Sequence, residues 1–88
     1  MDGNITHQRS AVLGWDITVS AKAEAAEGIS SVEVFVNGIS EYSETFNRPT
    51  KEWQKTLTQK GEYPGDNKSQ LIVTDDDGNE SDYYDEWD

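Results

Sequence analysis

Oxygen-bearing side chains crowd into one short stretch of this chain. "TDDDGNESDYYDEWD" sets Asp75, Asp76, Asp77, Asn79 and Glu80 within six residues. Calcium takes about six to eight oxygen ligands, and a cation would relieve the repulsion between clustered carboxylates. Asp75, Asp77 and Asn79 are therefore candidate calcium ligands, and calcium is the one cofactor the sequence brings into view. Counted from Asp75, Asp77 and Asn79 fall where an EF-hand loop has ligands, but Glu80 stands where that loop requires glycine. Neither flank has a helical pattern, so the EF-hand reading fails and a looser site at a loop tip is what remains. A turn explains the same residues more simply. Asp and Asn side chains bond nearby backbone amides, and Gly78 supplies a positive φ. Asp76-Asp77-Gly78 then makes a type I turn with a bulge between two strands, braced by Asp75.

Tyr83, Tyr84 and Trp87 follow directly, among carboxylates. Exposed aromatic planes match the apolar faces of sugar rings, and neighbouring acids can bond sugar hydroxyls. These three are the candidate ligand-binding residues. The competing expectation is that Tyr83 and Trp87 alternate inward as core of a last strand while Tyr84 faces solvent.

Catalytic constellations are poorly supported. His7, the single histidine, lies in a polar segment with no nucleophile signature around it, and is expected to be solvated. A glycosidase needs two carboxylates across a cleft, and no pair stands out by spacing. Glycine-rich phosphate loops are absent. No catalytic residue is assigned, and the chain is expected not to be an enzyme.

Composition sets the frame for these residues. Eighty-eight residues make one small domain with room for a modest core. Eighteen acidic against seven basic residues give a net charge of −11, which argues against nucleic acid and anionic membrane surfaces. No apolar run is long enough for a transmembrane helix, so no membrane insertion is expected. The opening "MDGNITHQRS" has no hydrophobic stretch and is not expected to be a signal peptide. With no cysteine, disulfides and thiol chemistry are excluded. Sixteen Leu, Ile, Val and Phe with this net charge just cross into the composition of disordered chains, but three Trp, four Tyr and a regular alternation argue for a fold.

That alternation has period two. In "WDITVSAKAEA", Trp15, Ile17, Val19, Ala21 and Ala23 share one face. In "GISSVEVFVNG", Val32, Val34 and Val36 oppose Ser31, Glu33 and Phe35, and Asn37-Gly38 supplies a type I′ hairpin turn. "ISEYSETF" alternates more weakly and reads as an edge strand. "WQKTLTQ" carries Trp53 and Leu57 inward with Lys55 awkwardly between them. "SQLIVTD" and "ESDYYDEW" are paired strands around the acidic turn. No helix emerges, and turn signals about every ten residues predict an all-β sandwich.

Three stretches in order resemble the bacterial Ig-like domains. "WDITVSAKAEAAEGISSVEVFVNG" is similar to their strand of small apolar residues followed by G-I/V-x-S-V-E-V-F/Y-V-N-G. "WQKTL" sits where those modules carry an aromatic strand, and "LIVTDDDGNES" resembles their closing hairpin. The resemblance spans roughly Trp15 to Ser81. It implies an Ig-like β-sandwich of about seven antiparallel strands, of the immunoglobulin or fibronectin type III kind. Residues 1–14 form an N-terminal segment able to hold the first strand, and residues 15–88 the sandwich.

The resemblance also implies a non-catalytic module of a secreted or cell-surface bacterial protein, located outside the cell or in the envelope. Its role would be spacer, adhesion or protein interaction. The alternatives are a carbohydrate-binding module using the C-terminal Tyr and Trp, and a calcium-stabilised module of a tandem array. Expected partners are other domains of the parent protein, a surface protein or a glycan, with the isolated module monomeric.

Overall fold

Alternation of period two becomes seven strands: β1 (Asp2–Arg9), β2 (Ile17–Glu24), β3 (Ile29–Val36), β4 (Ile39–Thr45), β5 (Glu52–Gln59), β6 (Asn67–Asp75) and β7 (Glu80–Trp87). They come from a computed structural model that describes residues 1–9, 16–59 and 66–87. Trp15, expected in the core, lies outside the described residues. The strands form a three-stranded sheet, β1-β2-β5, facing a four-stranded sheet, β4-β3-β6-β7, with every neighbour antiparallel. This is the Ig-like sandwich.

Asn37-Gly38 decides which sheet β4 joins. Asn37 has φ 53° and Gly38 φ 81°, the two left-handed conformations a type I′ turn needs. Val36 therefore stands opposite Ile39, and β4 folds straight back onto β3. Sheets pack about 10 Å apart, too far for a two-residue turn to cross. The longer segment of residues 46–51 makes that crossing to β5. Asn37 is fixed twice more, since its Oδ1 accepts from the Lys68 amide at 2.9 Å and its Nδ2 donates to Asn67 Oδ1 at 2.9 Å. Asn37→Gly keeps the φ and loses both bonds; Asn37→Ala loses the bonds and adds backbone strain. We expect Asn37→Ala to cost about 1–2 kcal/mol and Asn37→Gly about half that, read from urea midpoints.

The inward positions interleave by size. Sheet registers place Gly3, Ala23 and Trp53 in one row of the three-stranded sheet, and Ile5, Ala21 and Lys55 in the next. In the four-stranded sheet Tyr42, Val34, Leu71 and Tyr83 form a row. Val19, Val32, Val34, Leu71 and Val73 are buried at the centre, each burial contributing roughly 1.5–3 kcal/mol. Small residues at positions 3, 21 and 23 leave room for the large rings of Tyr83 and Trp53 beside them. The outer face of the three-stranded sheet is polar, with Asn4, Thr6, Ser20, Lys22, Gln54 and Thr56 all exposed.

Candidate functional site

Asp75 ends β6 and is only 2% exposed. Its Oδ1 accepts from the backbone amides of Asp77 at 3.0 Å and Asn79 at 2.8 Å, and its Oδ2 from Asn79 Nδ2 at 3.2 Å. The Gly78 amide donates to the Asp75 carbonyl at 3.1 Å, the Asp75 amide donates to the Asn79 carbonyl at 2.9 Å, and Gly78 has φ 84°. That is the bulged three-residue hairpin the sequence suggests, with Asp75 as its brace. Burial pushes the Asp75 carboxyl up, but hydrogen bonds donated by the Asn79 and Asp77 amides outweigh it and hold the pKa below the ordinary value. Both Asp75 oxygens are thus engaged by the loop itself. Asp77 contributes its amide rather than its carboxylate to this network, and Asn79 its side-chain nitrogen. Among the described residues no group of three or more acids or histidines is disposed to hold a metal ion. We expect the same melting temperature in millimolar calcium and in chelator, since a cation must displace bonds already made.

The three candidate stacking residues do not share a surface. Tyr83 packs against the core and Trp87 is buried, whereas Tyr84 is 49% exposed on the outer face of the four-stranded sheet. Alternation along β7 separates them. Lys68 Nζ lies 4.2 Å from the Tyr84 ring centroid, over its face. The Tyr84 hydroxyl accepts from Gln70 Nε2 at 3.0 Å and donates to Asp82 Oδ2 at 3.2 Å. Burial by these neighbours and the bond to Asp82 push its pKa up.

Tyr83 and Trp87 instead help close one flank of the sandwich. His7 is not a solvated terminal residue: its register opposite Val19 turns it inward, toward β7. Its Nδ1 lies 2.5 Å from Asp85 Oδ2, and its ring stacks on Trp87 with centroids 4.7 Å apart. The Tyr83 ring lies directly over Gly3, and its hydroxyl donates to the Met1 carbonyl at 3.4 Å. Gly3 meets Tyr83 while His7 meets Asp85 and Trp87, so β1 and β7 run in the same direction along this flank.

The opposite flank, between β4 and β5, is built differently. Tyr42 and Trp53 stack across the gap with centroids 6.2 Å apart. Lys55 Nζ lies 4.9 Å from the Tyr42 ring centroid. The Tyr42 hydroxyl donates to Glu44 Oε1 at 2.5 Å, and that bond raises its pKa. Tyr42, Phe46, Trp53 and Leu57 are all partly buried and lean on the core from this side. Lys55, incongruous in the sequence, thus extends its stem from an inward position to the open margin and sets its ammonium over an aromatic face. A lysine between two apolar inward residues of an edge strand was the one sequence signal of this arrangement.

The comparisons with known proteins add one match. A family model described as bacterial Ig domain matches residues 6–79. No curated protein and no solved structure matches the chain.

Proposed function

Because the chain belongs to the bacterial Ig domain family, we propose that it serves as a non-catalytic module of an exported or cell-surface bacterial protein. Its role in that protein is to space neighbouring domains and to present surfaces to other proteins. The observation that carries this reading is the family match together with where the reactive side chains go. The single histidine is paired and stacked in a flank, and Asp75 braces a turn. Neither is poised toward a cleft. The long axis of 40 Å against 21 and 17 Å suits a spacer, and strands β1 and β7 running in one direction let the chain enter and leave at opposite ends. A net charge of −11 favours solubility and disfavours anionic surfaces.

Location is tested on intact cells of the source bacterium with an antibody raised against the folded module. Labelling of unbroken cells is the expected result. Labelling that appears only after lysis would overturn the assignment to an exported protein.

A further inference from the structure

The basic residues of this acidic chain are not evenly spread. Four of its seven Lys and Arg, but one of its eighteen Asp and Glu, fall in residues 48–60, the stretch that contains β5. Arg48, Lys51 and Lys55 are exposed, and among the described residues none has a carboxylate partner within ion-pair distance. β5 is also an edge strand: it pairs with β2 on one side, and no described strand pairs with the other. Its free backbone groups therefore border the flank where Trp53, Leu57 and Tyr42 are partly buried.

We propose that the free edge of β5 is a strand-addition site for acidic, extended segments of a partner protein. The inference rests on reading the chain as an interaction module and names the surface that does the interacting. An added strand would satisfy the unpaired amides and carbonyls of β5, the recurring way in which sheet edges recognise peptides. Its inward side chains would lie against Trp53 and Leu57 and cover their apolar surface. Charge then decides the partner. An inward-pointing lysine on an edge strand guards against indiscriminate pairing. In a second β5 strand laid antiparallel with the two Lys55 residues opposed, like charges would meet, which destabilises a cross-strand pair. A neutral strand would have to bury the Lys55 ammonium with only the Tyr42 ring face to offset it. A strand carrying Asp or Glu turns the same lysine into a contact. The guard thereby becomes the selectivity element, rejecting wrong partners as much as attracting the right one.

The test uses the whole chain, labelled with nitrogen-15, and three eight-residue peptides. Valine alternates with glutamate in the first, with glutamine in the second and with lysine in the third. At low salt the acidic peptide should shift the amides of Trp53 through Thr58 and bind about tenfold tighter than the glutamine peptide, with the lysine peptide weakest. The preference should fade in 0.5 M salt, as surface charge pairing does. Lys55→Glu should reverse the order of the acidic and basic peptides, and Lys55→Gln should abolish the difference; unchanged spectra away from β5 show that each variant is folded. Shifts confined to other strands, no shift with any peptide, or equal affinity for the acidic and glutamine peptides would each overturn the proposal. None of these would alter the labelling of intact cells, so the module reading fails or stands separately.

Discussion

Gly3→Ala should lower the melting temperature by roughly 10 °C, although alanine is ordinarily the better residue inside a strand. A β-carbon built at Gly3 lies 2.4 Å from Tyr83 Cε2 and 2.6 Å from Cδ2, far inside van der Waals contact. Tyr83 must then leave its place over β1, and it takes with it the bond to the Met1 carbonyl. Overpacking of this kind costs about 1–3 kcal/mol, and each kcal/mol moves the Tm of a domain this size by roughly 4–8 °C. In a Tyr83→Ala background the clash is gone, so Gly3→Ala should become neutral or slightly stabilising. A double-mutant cycle on urea midpoints checks that reversal of sign. Two independent losses that simply add would mean that the ring does not sit over Gly3.

Asp75→Ala should be comparably damaging. It removes the acceptor for two backbone amides and one side-chain amide at once, and Asp75 is too buried for water to replace it freely. Leaving donors unsatisfied in a buried setting is the costly side of hydrogen bonding. We expect a fall in Tm of about 10 °C or more. The pH dependence follows with a definite sign. The folded pKa of Asp75 lies below its ordinary value of 3.8. Its contribution is therefore complete above that value and is lost as pH falls through the folded pKa. Wild type should lose stability on acidification below about pH 4, and Asp75→Ala should show a shallower loss over that window. Circular dichroism melts at a series of pH values measure both.

Much of the fold was legible because local chemistry and global topology agree. "SVEVFVNG" specifies a strand with three inward valines and a turn whose φ values admit a single topology for β4. The acidic turn was legible for the same reason, since Asp75, Gly78 and Asn79 act within five residues. β1 was hard to see, and the structure shows why. Its inward positions are Gly3, Ile5, His7 and Arg9, of which Ile5 alone is a buried aliphatic residue. Gly3 and His7 depend on partners far along the chain: Tyr83 for Gly3, Asp85 and Trp87 for His7. Lys55 was unexplained for the same cause, because Tyr42 reaches it from the other sheet. Alternation correctly separates Tyr84 from Tyr83 and Trp87, which dissolves the cluster that their adjacency in sequence suggests. What sequence could not supply were the flanks, since each is made by side chains from two sheets.

The sandwich is shut along β1 and β7, where His7 and Trp87 stack, and more open along β4 and β5, the flank where we propose that a strand adds. Hydroxyl-radical footprinting of the unmodified protein, read residue by residue by mass spectrometry, tests this most directly. Tyr84 and Ile39, at 49% and 63% exposure, serve as exposed references. Trp53 and Tyr42 should oxidise at measurable rates, well ahead of Trp87, which should be protected beneath His7. Trp87 reacting as fast as Trp53, or Trp53 and Tyr42 as protected as Trp87, would contradict the account.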